Sequence, residues 1–245
     1  MQEIKRGRFS LDTNALIDLF FESFHIITLH YAFWFNETEH QLGLDKALTV
    51  DEIVWPQVLS ATVHRITTRL KENDNMKILA TASKETLVNL LEDMAKNWLA
   101  IDGFWFQAIE RNFDYEMYTA KRTNDSVAVR FHYTEAKLIK RRLNLPENGG
   151  LPALKEALKY RQYALVNKQE VVEETPSKFI FRMIDCRVQS ARKRRGLPDY
   201  PCKSAGIMEY SKFAEGIDPR IKTRCIACPP DPHPPEWWCA WEFEI

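Results

Sequence analysis

The first 185 of the 245 residues contain no cysteine; all five thiols lie between Cys186 and Cys239. There is no excess charge either, since 34 Lys+Arg face 34 Asp+Glu. A neutral chain has no general pull toward nucleic acid or an anionic membrane, so either partner would need a local patch. Glycine is sparse, at eight residues, and forms no phosphate-cradling loop and no G-x-S-x-G elbow. P-loop nucleotide hydrolysis and α/β-hydrolase chemistry therefore have no motif to rest on. The six histidines include no H-x-x-x-H pair. Met1 to Phe9 lacks the apolar stretch of a secretory signal, so a cytoplasmic protein with reduced thiols is expected. The most apolar stretch, Ala15 to Phe35, is interrupted by Asp18, Glu22, His25 and His30. Those residues would put charge at bilayer depth, so a buried or amphipathic helix is expected rather than a membrane span.

What is present is a large apolar fraction, 45% with 12% aromatic residues, enough for one large core or two smaller ones. Leu16, Leu19, Phe20, Phe24, Ile27, Tyr31 and Trp34 recur at three- and four-residue spacing, which predicts a helix from Asp12 to about His40. Further helices are predicted over Val50–Lys71, Lys84–Ala100 with Ser83 as cap, Phe104–Phe113, Tyr133–Leu143 and Pro152–Tyr160. Glu72 to Asn75 is turn-like. Phe33-Trp34-Phe35 returns as Phe104-Trp105-Phe106, so residues 1–82 read as a helical region, with a diverged repeat of the helices at 84–145 as one explanation of the match. Two amphipathic helices sharing aromatic anchors is the other.

The pattern then changes. Val-rich alternation between Tyr163 and Glu173, a turn at Thr175-Pro176-Ser177 and the run Lys178 to Asp185 predict a hairpin. A helix from Lys203 to Gly216 follows, and two closing strands, Ile221–Ala227 and Trp237–Glu244, flank the proline-rich loop Pro229–Pro235. The expected class is α+β: a helical N-terminal half packed with a C-terminal antiparallel sheet in the order hairpin, helix, hairpin, with residues 83–245 as the ligand-binding domain.

Cys225-x-x-Cys228 is the strongest motif, because two thiolates two residues apart can share one metal ion. Cys202 at a helix start and Cys239 in the last strand would complete a tetrahedral zinc set, whose negative charge Lys203, Arg220, Lys222 and Arg224 could offset. An iron–sulfur cluster takes the same four ligands, and buried thiols acting as small hydrophobes are the bland alternative. A thioredoxin-like motif is not expected, since Pro229-Pro230 follows where a helix would open. Cys186, beside Met183, Ile184 and Val188, stands apart as a buried thiol or one facing a pocket.

The segments Asp185-Cys186-Arg187-Val188-Gln189, Pro201-Cys202-Lys203-Ser204, Ile217-Asp218-Pro219-Arg220-Ile221, Cys225 to Asp231 and Cys239-Ala240-Trp241-Glu242-Phe243 resemble an uncharacterised prokaryotic family of cytosolic proteins. So do Ala95 to Ala100 and Asp102 to Phe106. More distantly, the arrangement is similar to small-molecule-binding domains of the four-vinyl reductase type and to proteins named after L-2-amino-thiazoline-4-carboxylate hydrolase. In the phenol sensors of the former type, zinc is held by Cys, Glu, Cys and Cys. The resemblance sets these against Cys202, Cys225, Cys228 and Cys239, with Cys225 replacing the glutamate. The sensors' ATPase and DNA-binding segments have no counterpart among these residues, so transcriptional activation is not implied.

Trp98, Asp102, Trp105, Phe106 and Glu110 form a helical stripe able to line an apolar or aromatic ligand pocket, or simply to fill a core; Asp102 beside Gly103 could cap a helix. Cys186 and Arg187 are further ligand-binding candidates, and Arg182, Arg187 and Gln189 could grip an anion. Arg192-Lys193-Arg194-Arg195 reads as a solvated loop, so nucleic acid is not an expected partner. His233 is the one histidine near the thiols, and four cysteines suffice without it. The function expected is small-molecule binding beside a structural four-cysteine zinc site, with a homodimer compatible. The alternatives are a hydrolase of a small heterocycle or amide, using Asp102 or Cys186, and an iron–sulfur redox protein.

Overall fold

The computed structural model describes residues 11–70, 81–112 and 117–245. The turn expected at Glu72–Asn75 and the end of a helix at Phe113 lie outside them. The chain forms two compact units that divide between Asn124 and Asp125, whereas the sequence placed the boundary at 82/83.

In the first unit α1 (Thr13–Leu42), α2 (Leu44–Leu70) and α3 (Lys84–Asn112) pack on one another. Asp12 Oδ1 caps α1 by accepting from the Ala15 amide at 2.8 Å, and Gly43, at φ 89°, ends it. By length and composition α1 could cross a membrane; here Leu16, Phe20 and Trp34 of α1 are buried. Ser83 Oγ accepts from the Thr86 amide, as a cap should. α3 is one helix where two were expected. Ile101 and Trp105 are both buried and carry the helical period through Gly103, while the Asp102 carboxylate serves a tertiary contact instead of a cap. The matched tryptophans meet each other: Trp34 and Trp105 stack 6.1 Å apart and 12° from parallel.

The second unit contains most of α4 (Met117–Arg142), then α5 (Gly150–Leu158), α6 (Gln162–Val166), β1 (Lys168–Val172), β2 (Lys178–Asp185), α7 (Arg187–Arg194), α8 (Lys203–Ile217), β3 (Lys222–Ala227) and β4 (Cys239–Glu244). The strands form an antiparallel sheet in the order β1-β2-β4-β3, so the α+β class holds. Register pairs Phe179 with Phe243, Phe181 with Trp241 and Met183 with Cys239. Strand side chains alternate between faces, so one face carries Phe179, Phe181, Trp241 and Phe243. These residues share a core with Tyr210, Phe213 and Ile217 of α8 and Leu151, Leu154 and Leu158 of α5. Helix α7 occupies a stretch read as loop from sequence.

Two polar ties fix the far end of α8. The buried Lys140 of α4 donates to the Ile217 carbonyl at 2.7 Å, where a cation also meets the negative end of the helix dipole. Asp218, fully buried, accepts from the Gly150 amide at 2.9 Å and from Arg220 Nη2 at 2.7 Å. The Arg220 hydrogen bonds hold its carboxyl well below the usual carboxylate range.

Candidate metal centre

All five cysteines are free thiols in the second unit, and four of them are only partly buried. Cys202 caps α8, Cys225 lies in β3, Cys228 follows that strand and Cys239 opens β4. A β-bulge between Cys225 and Ala227 shifts the register just before Cys228. The Asp231 amide donates to the Cys228 carbonyl and the Lys203 amide to the Pro229 carbonyl, folding the turn back over the start of α8.

The Cys228 thiol is close enough to hydrogen-bond to the thiols of both Cys202 and Cys239. Those neighbours, together with burial, push it far above an ordinary thiol. Burial pushes Cys225 up to about 11 against the pull of Lys203, and Cys239 is the thiol it senses. Cys186, set apart in the sequence, senses both Cys202 and Cys239 from the N-terminus of α7, and burial is the main cause that raises it. Thiols gathered this way repel one another as anions, so they stay protonated unless a cation neutralises them.

Gln189 braces this arrangement. It is 1% exposed, donates from Nε2 to the Tyr200 carbonyl at 2.8 Å and to Cys202 Sγ at 3.1 Å, and accepts from the Tyr200 amide at 2.8 Å. An N–H···S bond of this kind is the outer-sphere support that metal thiolates use. It also corrects the anion-binding trio, because the Gln189 amide is already committed. Arg182 faces Glu170 and Glu173, and the Arg187 side chain is exposed. Lys203 pairs with Asp231 at 2.8 Å and lies near Cys225 and Cys228. Among the described residues no group of three or more His, Cys, Asp or Glu side chains is placed to hold a metal ion. By donor chemistry alone thiols suit a soft ion; three of them meet at Cys228, whereas Cys225 only senses the charge of Cys239.

The expected ligand-binding residues divide between the units. Trp98, Asp102 and Trp105 are in the first unit; Cys186 and Arg187 are in the second. Trp98 and Trp105 are buried, at 1% and 0% exposure. Asp102 Oδ1 accepts from Trp34 Nε1 and lies 2.8 Å from His30 Nε2, with a quarter of its side chain still open to solvent, 24%. In the same unit a groove of about 860 Å³ runs along Pro56, Ser60, Arg65 and Arg69 of α2 to Asp93 of α3.

Sequence reasoning missed a buried charged cluster in the second unit. Arg161, 1% exposed, donates from Nε to Glu135 Oε2 at 3.0 Å and from Nη1 to Glu209 Oε1 at 2.8 Å. Its Nη2 lies 2.9 Å from His132 Nδ1, itself 3.1 Å from Glu135 Oε2. The guanidinium also lies over the Phe213 ring at 4.5 Å. Burial alone would raise the Glu135 carboxyl, but Arg161 and His132 outweigh it and hold it at about 2. With both carboxylates engaged by the guanidinium, the cluster serves as a structural clamp.

Fold and centre together define an α+β protein whose sheet ends in a cluster of thiols. The chain belongs to a family described as Family of unknown function (DUF6125), which matches residues 80–245. That span covers α3 through β4 and takes in all five cysteines. No curated protein and no solved structure matches the chain. The family is one of unknown function, and the comparisons add nothing in favour of a four-vinyl reductase or thiazoline hydrolase relationship.

Proposed function

We propose that the protein is a cytoplasmic small-molecule-binding protein whose second unit is pinned by a structural zinc ion held by Cys202, Cys225, Cys228 and Cys239. The observation that carries this reading is the meeting of three thiols at Cys228, from a helix cap, a post-strand turn and a strand start far apart in sequence. Four thiolates fill a tetrahedron and leave no open position for water, so the ion would hold structure rather than activate a nucleophile. Gln189 would orient the Cys202 thiolate and Lys203 would offset part of the negative charge. Small-molecule binding is inferred from the sequence resemblance to four-vinyl reductase-type domains, which bears more on fold and metal than on function. In this reading Asp102 is the ligand-contacting candidate of the first unit, with Trp98 and Trp105 buried in the same unit, and Cys186 and Arg187 are separate candidates in the second. Asp102 offers the solvent-reaching edge of its aromatic cluster.

Elemental analysis and visible absorbance of anaerobically purified full-length protein test the metal. One zinc per chain, lost in Cys228→Ser and Cys225→Ser but kept in Cys186→Ser, is the expected result. A brown protein with iron and sulfide would replace zinc by a cluster, and a metal-free protein would remove the centre altogether. Native mass spectrometry of the same preparation tests the ligand. A small non-covalent adduct weakened by Asp102→Asn is expected, and an adduct indifferent to both Asp102→Asn and Cys186→Ser would overturn the assignment.

A further inference from the structure

We propose that the surface formed by the basic end of α7 and the tryptophan-bearing loop between β3 and β4 binds single-stranded nucleic acid. Between Arg182 and Lys203 the sequence has seven Arg or Lys and two Asp, a local excess within a chain of zero net charge. The structure adds two features that the run alone did not reveal.

The first is that four of these seven charges are unspent, Arg182 facing Glu170 and Glu173, Lys203 facing Asp231 and Arg192 donating to the Pro198 carbonyl. Lys178, Lys203, Arg220 and Arg224 each face a carboxylate within ion-pair distance. Among the described residues no carboxylate pairs with Arg187, Lys193, Arg194 or Arg195, and all four are exposed. The nearby acids are engaged elsewhere: Asp185 accepts from Ser190 Oγ, Asp199 faces His233 at 3.8 Å and Asp231 holds Lys203. Unpaired cations on a short helix leave phosphate oxygens as natural partners, and each phosphate bound releases a counterion.

The second feature is aromatic. Trp237 and Trp238 end the loop, and the main chain of Trp238 is fixed by its amide donating to the Met183 carbonyl. Lys193 Nζ lies 6.0 Å from the Trp238 ring centre, and Arg182 lies 6.0 Å from that of Trp237. His233 sits 5.3 Å from the Trp238 ring and 6.3 Å from that of Trp237. Both indoles are half-buried, so they are held in place yet reach solvent. Half-exposed rings beside cations, one of them the unpaired Lys193, match the chemistry of unstacked bases on a phosphate backbone. A bilayer surface fits less well, because α7 has no apolar face: Val188 and Ala191 are its only apolar residues.

Fluorescence anisotropy of the intact protein with labelled oligouridylate and oligothymidylate, from about 50 to 200 mM salt, tests this proposal. Binding to at least one oligomer should weaken with salt at a log–log slope of about −2 to −3, corresponding to three or four phosphates. The triple variant Lys193→Glu/Arg194→Glu/Arg195→Glu should lose about tenfold or more in affinity and flatten that slope. Trp237→Leu should lose roughly fivefold or more and leave the slope unchanged. Unaltered circular dichroism and zinc content in these surface variants would separate the result from misfolding. The proposal is overturned by absence of binding at the lowest salt, by equal binding of the triple variant, or by an unaffected Trp237→Leu. Capture by phosphatidylserine vesicles without oligomer binding would overturn it in favour of a membrane.

Discussion

Replacing Arg161 by Met removes the guanidinium that Glu135 and Glu209 share. Glu135 and Glu209 lie at 1% and 9% exposure, so after the substitution neither can reach enough water to replace what it has lost. The magnitude follows from the structure. Glu135 is held at about 2 against an ordinary 4.5, which makes that carboxylate alone worth on the order of 3 kcal/mol. Glu209 loses its own charge-assisted bond at 2.8 Å. Breaking a buried pair by removing one partner costs about 3–5 kcal/mol, so a loss of about 4 kcal/mol at neutral pH is expected.

The sign with pH sharpens this prediction. In the native protein the Glu135 carboxyl is depressed, so its contribution is complete above about pH 4.5 and is lost as pH falls toward 2. In Arg161→Met, burial acts with less opposition and raises the carboxyls, so the variant should gain stability as pH is lowered from about 7 to 5. Urea unfolding followed by circular dichroism at the two pH values measures both effects. Arg161→Lys keeps the charge without the fork and should lose about half as much, which preserves the test if the Met variant fails to fold. Glu135→Gln in the Met background should recover part of the loss. A Met variant within about 1 kcal/mol of the parent at neutral pH, or one without the inverted pH trend, would refute the clamp.

Two further predictions concern the same unit. A Cβ at Gly206 would stand 2.7 Å from Trp241 Cζ2 and 3.7 Å from Cys228 Sγ, so Gly206→Ala should cost about 1–3 kcal/mol and lower the thermal midpoint of the unit. Asp218→Asn should cost about 1–3 kcal/mol at neutral pH. Because the native carboxyl is depressed from 3.8, that difference from the parent should shrink as pH falls below about 4, read from paired acid titrations of stability.

Local signals in the sequence foretold most elements. The helix expected from Asp12 forms as α1, Ser83 caps the helix it precedes, and the run Lys178–Asp185 forms β2. Gly103 misled because a glycine costs only about 1 kcal/mol in a helix, less than the buried Ile101 and Trp105 return across it. Helix α7 was hidden because Arg187–Arg194 has no apolar period; it is anchored by Gln189, whose partners are brought close only by the fold. Cysteine spacing picked out the thiols that meet at Cys228, but the approach of Cys186 to them depends on the turn from β2 into α7. The Arg161 clamp was beyond reach. His132, Glu135, Arg161 and Glu209 each look like surface residues, and the only local hint was His132-x-x-Glu135 between the buried Phe131 and Ala136.

Helix α8 touches three of these features along its length. Glu209 in its middle is fixed by Arg161, and Ile217 at its end by Lys140, eight residues or about 12 Å further along the axis. A slip of one turn, about 5.4 Å, would break both ties at once and strand charge in the core. The helix therefore has a single height, and its first turn has no freedom of its own. It works as a ruler: the position at which Cys202 is presented to the sheet is gauged from the opposite end of the rod, by residues that never approach a thiol.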